Sequence, residues 1–142
     1  MNTFKMLLKY LILFFTYGCI YYCIELIYRG FSDVSMIITA GFSGIAIGLL
    51  NEFFSWETPF WKQCMLGAII VTVLECITGY IVNIWLGMNV WDYSNLPLSF
   101  FHGQINLFFT IAWFFLSAIA IILDDWLRYW LFKEEKPHYK WV

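Results

Sequence analysis

Residues 63–86 read QCMLGAIIVTVLECITGYIVNIWL, and this stretch decides the fold. Glu75 is its only charged residue. Because an α-helix rises about 1.5 Å per residue, a run of this length can cross a hydrocarbon core roughly 30 Å thick. The near-continuous apolar pattern predicts a membrane-spanning helix, since a strand of a membrane barrel would alternate apolar and polar residues.

Three further apolar segments accompany this one, and the four expected spans are residues 9–28, 34–52, 63–86 and 104–124. Hydrophobic residues make up 62% of the 142-residue chain and charged residues only 13%, too few to cover a water-soluble domain. The expected fold is therefore one all-α, integral membrane domain, a four-helix bundle in the lipid bilayer. The net charge of −2, without a basic stripe, excludes nucleic acid as a partner.

The basic residues are distributed unevenly between the two sides of the expected bundle. Only Arg29 falls on one side. Seven fall on the other: Lys5, Lys9, Lys62, Arg128, Lys133, Lys136 and Lys140. By the positive-inside rule, this bias predicts that both termini are cytoplasmic.

Small residues predict where helices pack closely. In the second span, Gly44 and Gly48 form a G-x-x-x-G step, and Gly41 lies one turn before them. In lipid, such residues let two helix backbones approach each other, and we expect Gly79 in the third span to act in the same way. The spacing is not a nucleotide-binding fingerprint, because no strand precedes it.

Glu75 is the most informative polar residue, because it lies about eleven residues into the third span. At about 1.5 Å per residue, this depth places it near the bilayer midplane. A charged side chain there costs roughly 2.5 to 3.5 kcal/mol, so such groups face the bundle interior, pair, or stay neutral. Glu75, Gly79 and Asn83 recur at intervals of four and predict one polar stripe. We expect Glu75 and Asn83 to handle a substrate or a proton. The alternative is a protonated Glu75 that joins two helices by a hydrogen bond.

The segment before the fourth span reads WLGMNVWDYSNLPLSFFHGQIN at residues 85–106, which is too apolar for a solvated loop. We expect it to fold back onto the bundle as a short re-entrant or interfacial helix. It would then form an outer vestibule from Trp91, Asp92, Tyr93, His102, Gln104 and Asn106. The alternative is an interface loop whose aromatic residues anchor at the lipid headgroups.

Two charged groups lie at span ends. Glu25 and Arg29 are four residues apart, the spacing of an intrahelical ion pair, and their place beside the vestibule makes them candidates for substrate handling. Asp124 and Asp125 are expected to form a solvated helix end that pairs with Arg128, because they lack a second acidic motif for magnesium. The cysteines and histidines show no zinc spacing, so neither a metal nor a cofactor is expected.

One order of residues is distinctive: Glu75, Gly79, Asn83, the VWDYS box at Val90–Ser94, Pro97, Gly103, Gln104 and Trp113. In this order the sequence resembles the bacterial family of type IV ABC-transporter membrane proteins. The resemblance implies a multi-pass protein of the bacterial inner membrane in a transport class. Because the chain has no Walker A loop, an ATP-driven role would require oligomers of this chain and a separate ATPase subunit.

Three functions are compatible with these features. The first is a transporter or permease-type subunit that handles a small polar or cationic substrate. The second is a membrane-embedded enzyme acting on a lipid-linked substrate, with Asp92, His102 or Glu25 as acid and base; it lacks a recognisable nucleophile motif, so an enzyme is less favoured. The third is a nonenzymatic assembly or sensor subunit that docks through the aromatic loop.

Overall fold

The computed structural model describes residues 2–50 and 58–139, and this part of the chain forms four helices. They are α1 (Thr3–Arg29), α2 (Val34–Gly48), α3 (Phe60–Gly79) and α4 (Leu107–Phe132). Three are long and apolar enough to cross a membrane: α1, α4, and α3 with its continuation to Trp85. Helix α2 is apolar but shorter. The all-α membrane bundle predicted from the sequence is therefore confirmed.

The helix ends follow local capping chemistry. Helix α1 begins at Thr3 because the side chain of Asn2 accepts a hydrogen bond from the Lys5 amide at 2.8 Å. Helix α4 continues past the expected span and ends at Phe132, where Lys133 adopts a left-handed backbone with φ 55°. Residues 51 and 52 of the second expected span, and Lys140, lie outside the described residues.

Antiparallel packing of successive helices gives the bundle two distinct ends. The terminal end carries the start of α1 and the described residues that follow α4, and the hairpin end carries residues 86–106 between α3 and α4, here called the hairpin segment. Helix α1 packs chiefly on α2, α3 packs chiefly on α4, and α2 touches both α3 and α4. As a result, α1 and α4 flank a groove with α2 between them.

Glycines of α2 lie where neighbouring helices approach it most closely. Gly41 lies against the Phe14 ring of α1, and a Cβ atom added there would lie 2.7 Å from the ring. Gly48 lies against the carboxyl group of Asp124 on α4, where an added Cβ would be 2.6 Å away. Gly44 contacts the Tyr17 side chain even more tightly. Larger residues at these positions would push α1 and α4 away from α2.

Residues 86–106 contain no helix, so the expected re-entrant or interfacial helix is wrong. After α3, a π-helical turn (Tyr80–Trp85) leads into an irregular loop and a small antiparallel hairpin. The hairpin pairs β1 (Ser99–Phe100) with β2 (Ile105–Asn106). A helix cannot continue here because the backbone takes left-handed φ angles at Leu98, Phe101 and His102.

The segment nevertheless folds back onto the bundle. Trp91 is buried in a cluster with Met36 of α2 and Val82 of the π-helical turn. The Asn106 side chain donates hydrogen bonds to the Pro97 carbonyl and the Ser99 hydroxyl, both at 2.9 Å. Buried apolar contacts and satisfied polar groups together hold the loop at the hairpin end.

Candidate functional site

Glu75 lies inside the bundle on α3 and is only 4% exposed. Its Oε1 atom accepts a hydrogen bond from the Tyr93 hydroxyl at 2.8 Å, and its Oε2 atom accepts one from Trp113 Nε1 at 3.0 Å. Among the described residues, no lysine, arginine or histidine forms an ion pair with this carboxyl group. Glu75 is thus a buried acid held by two neutral donors.

Tyr93 connects the hairpin segment to this buried acid. Its ring stacks on Phe109 of α4, with the ring centroids 4.7 Å apart and an interplanar angle of 16°. Burial, together with the neighbouring Glu75, raises the pKa of Tyr93 far above its usual range. The hydroxyl therefore keeps its proton and serves as a donor to Glu75.

Glu25 and Arg29 form the expected ion pair at the hairpin end of α1. The Arg29 Nη2 and Glu25 Oε1 atoms are 2.9 Å apart, and the Ser32 hydroxyl donates to the other Glu25 oxygen at 2.7 Å. Arg29 also donates to the carbonyl of Val90 at 3.1 Å. The pair therefore ties α1 to the hairpin segment.

Two neighbouring spaces lie beside Glu75 or beside its hydrogen-bond partners Tyr93 and Trp113. The first is a cavity of about 310 Å³ at the hairpin end, whose walls include Glu25, Arg29 and Tyr93. The second is the groove between α1 and α4, which has Glu75 in its wall. Tyr21 and Trp113 line both spaces, so a molecule in one would lie next to the other.

Asn83 fastens the hairpin segment through a hydrogen-bonded brace. Its Oδ1 atom accepts from the Val90 amide at 2.7 Å, and its Nδ2 atom donates to Gln104 Oε1 at 2.9 Å. Trp91 Nε1 donates to the Gln104 carbonyl at 3.1 Å, which closes the brace. Gly79 packs against the same Gln104 side chain. These contacts position the loop above Glu75.

The predicted vestibule residues fall into two groups on opposite sides of Trp91. Tyr93 faces the cavity beside Glu75, whereas Asp92 and His102 line a separate cavity of about 320 Å³. In this second cavity, His102 Nδ1 lies 2.9 Å from the Tyr80 hydroxyl. Hydrogen bonds from the hydroxyl and amide of Ser94 lower the pKa of Asp92. The expected vestibule is therefore divided between two cavities. Asn106 has a different role, because its side chain caps α4 by accepting a hydrogen bond from the Phe108 amide at 2.9 Å.

Replacing Asn83 by alanine is expected to loosen the hairpin segment without unfolding the helices. The change removes both brace partners and leaves the buried Val90 amide unsatisfied, at a cost of about 1–3 kcal/mol. Hydrogen exchange of residues 86–106 should become roughly tenfold faster or more, while exchange in the middle of α3 and α4 stays unchanged. Unchanged exchange in the loop would show that the brace contributes little.

A second polar cluster lies at the terminal end, and it contradicts the expected solvated helix end. Asp124 is 0% exposed and Asp125 is 4% exposed. Asp124 accepts hydrogen bonds from the Tyr17 hydroxyl and from Arg128 Nε, the latter at 2.8 Å. The Tyr139 hydroxyl donates to Asp125 at 2.8 Å. The aspartates are buried because the chain after α4 turns back over them. The expected pairing with Arg128 is confirmed for Asp124.

Two further charged residues complete this cluster and were not predicted from the sequence. Lys9 Nζ lies 2.6 Å from a Glu134 carboxylate oxygen, and the other oxygen lies 3.7 Å from Arg128 Nη1. Lys9 had been expected only as a cytoplasmic charge that sets orientation. The contact could not be inferred from spacing, because Lys9 and Glu134 lie at opposite ends of the chain. Within the described residues, neither polar cluster groups three potential metal ligands of the His, Cys, Asp or Glu type.

Comparison with known proteins gives one family match. A family model described as "Putative ABC-transporter type IV" matches residues 12–139, which is most of the chain. The matched range contains Glu75, the hairpin segment and the aspartates of the terminal end. No curated protein and no solved structure gives a significant match.

Proposed function

Since the chain belongs to the type IV ABC-transporter family, we propose that it is the membrane subunit of a transporter and moves a small polar or cationic substrate, or a proton, past Glu75. One observation carries the proposal: the carboxyl group of Glu75, a buried residue that lines the groove, has no basic partner among the described residues. Ionisable groups inside membrane proteins commonly mark substrate or ion pathways.

The charges around the cavity favour a positive substrate. Glu75 lines the groove and Glu25 lines the neighbouring cavity, and among the described residues Arg29 is the basic residue in these walls. Arg29 is already engaged by Glu25 and by the Val90 carbonyl. A cation that approached Glu75 would therefore be attracted by a carboxyl group that no basic residue among those described already neutralises.

We further propose a bacterial inner-membrane location with both termini in the cytoplasm. The uneven distribution of basic residues supports this orientation. Because the sequence contains no Walker A loop, a separate subunit would bind the ATP. This ATPase subunit would dock at the terminal end, which is the cytoplasmic end in this orientation. Two or more copies of the chain would form the transport path.

The two other functions rest on the hairpin segment. Asp92 and His102 line the same cavity, which supports the alternative of an enzyme that acts on a lipid-linked substrate. Glu25 lines a different cavity, so it cannot act as acid or base together with them. A sensor or assembly subunit would use the exposed apolar tip at Leu98 and Phe100. If alanine substitutions across the loop leave activity intact, the enzyme hypothesis is excluded.

The test of the proposed function is to purify the tagged full chain from a bacterial membrane in mild detergent. Mass spectrometry should identify a nucleotide-binding ATPase at a stoichiometric level. When the complex is reconstituted in lipid, its ATP hydrolysis should respond to organic cations. Recovery of the chain only as a monomer or homo-oligomer in several detergents would contradict the ATP-driven role.

A further inference from the structure

The groove between α1 and α4 has almost entirely apolar walls. Helix α1 contributes Ile20 and Ile24, α4 contributes Leu116 and Ala120, and α2 forms the floor. Several of the α2 residues in the floor are small, which leaves space between α1 and α4. This surface is unsuited to a strongly hydrated ion, because binding such an ion would leave apolar walls facing its water shell.

The groove opens sideways out of the bundle. Ile20 on one rim and Ile119 on the other are exposed, although both also line the groove. At the terminal end the groove is closed by the hydrogen bond from the Tyr17 hydroxyl to Asp124. At the hairpin end it lies next to the cavity that is lined by Glu25, and Tyr21 and Trp113 line both spaces. An occupant would therefore enter from the surrounding lipid.

Charge and aromatic contacts define one end of this apolar surface. Glu75 is one of the residues that line the groove, and its carboxyl group has no ion-pair partner among the described residues. Beside it, the rings of Tyr21 and Trp113 have centroids 5.7 Å apart. Aromatic faces attract organic cations, so the rings and the acid favour the same kind of group.

We propose that the groove binds an amphiphilic monocation, a molecule with one positive charge on a mostly apolar body. The molecule enters from the bilayer, packs its apolar body between α1 and α4, and places its charge against Glu75. A neutral apolar molecule would leave the carboxyl group without a counter-charge, and a small hydrophilic cation would leave the groove unfilled. The inference narrows the substrate class of the proposed function and rests on it.

The test is equilibrium binding of labelled tetraphenylphosphonium to the full chain in discs of zwitterionic lipid. Tetraphenylborate has the same shape with the opposite charge, and choline is a small hydrophilic cation. Only tetraphenylphosphonium should bind saturably. Glu75→Gln should weaken its binding about tenfold or more, equivalent to about 1.4 kcal/mol. Glu135→Gln removes an exposed carboxyl group and should leave binding unchanged.

A second pair of variants tests the groove without touching Glu75. Ile20→Trp places a bulky ring at the rim and should weaken tetraphenylphosphonium binding by a similar factor. Ile27→Trp makes the same change at an 87% exposed position on α1 that does not line the groove, and binding should be unaffected. Both substitutions lie on exposed faces, so the bundle should fold in each case.

Three results would overturn the proposal, and they differ in what they mean for transport. Equal binding to all variants would show partition into lipid rather than a site. Glu75-dependent binding of choline without tetraphenylphosphonium would reject the amphiphile but keep a cation at Glu75. Absence of saturable binding for every probe would reject the groove site, while the ATPase partner would still be judged by co-purification.

Discussion

Replacing Glu75 by glutamine is expected to lower uptake of a labelled cation by the reconstituted complex about tenfold or more. The change removes the charge that the proposed substrate would contact and keeps nearly the same shape. The glutamine oxygen can still accept from Trp113, and the Tyr93 hydroxyl can rotate to accept from the new amide group. The helices should therefore remain packed, with similar thermal unfolding, while transport is lost.

A tyrosine variant serves as the control for this result. Tyr93→Phe removes one hydrogen bond to Glu75 but leaves the carboxyl group in place. Uptake should fall much less than in Glu75→Gln if the charge carries the function. The reverse pattern, with full activity in Glu75→Gln and loss in Tyr93→Phe or Trp91→Ala, would favour an assembly or sensor subunit that docks through the hairpin segment.

The helices could be predicted because lipid leaves the backbone few alternatives. A long apolar run such as residues 63–86 must satisfy its own hydrogen bonds, so hydropathy alone indicates a helix. The burial of Glu75 follows from the same reasoning, since a charge at mid-helix is costly when it faces lipid. Its partners Tyr93 and Trp113 could not be inferred, because both contacts join separate elements and follow no helical spacing.

The hairpin segment shows where composition was informative and where it was not. Its apolar residues correctly indicated that it folds back onto the bundle, as the burial of Trp91 shows. A helix was the wrong expectation because Leu98 takes a left-handed backbone between Pro97 and Ser99, and the Asn106 side chain donates hydrogen bonds to both of these neighbours. Those contacts form only when the segment is already in place, so local propensity could not reveal them.

The predicted solvated helix end at Asp124 and Asp125 was wrong for a similar reason. A pair of aspartates near the end of an apolar helix is usually solvated, and only the spacing between Asp124 and Arg128 pointed to a contact. Burial comes from the left-handed turn at Lys133, which sends the chain back across α4. The result is a buried charge network in which removal of Arg128 takes the counter-charge away from the buried Asp124.

Arg128→Met is accordingly expected to destabilise the bundle by about 3–5 kcal/mol, the usual cost of stranding one partner of a buried ion pair. Arg128 and Asp124 are both almost fully buried, with Nε and Oδ2 2.8 Å apart. Thermal unfolding in mild detergent, followed by size-exclusion chromatography, should show loss of the folded peak at a much lower temperature. Lys136→Met changes an exposed residue and should unfold like the unmodified chain.

The double variant Asp124→Asn with Arg128→Met decides whether the stranded charge is the cause. The asparagine oxygen can still accept from Tyr17, and the ion pair between positions 124 and 128 is removed on both sides. The double variant should therefore recover most of the stability lost in Arg128→Met, because a buried ion pair replaced on both sides is often nearly neutral. If the double variant is as unstable as the single one, Arg128 stabilises the terminal end chiefly through its other contacts, including Glu134 and the Tyr10 ring.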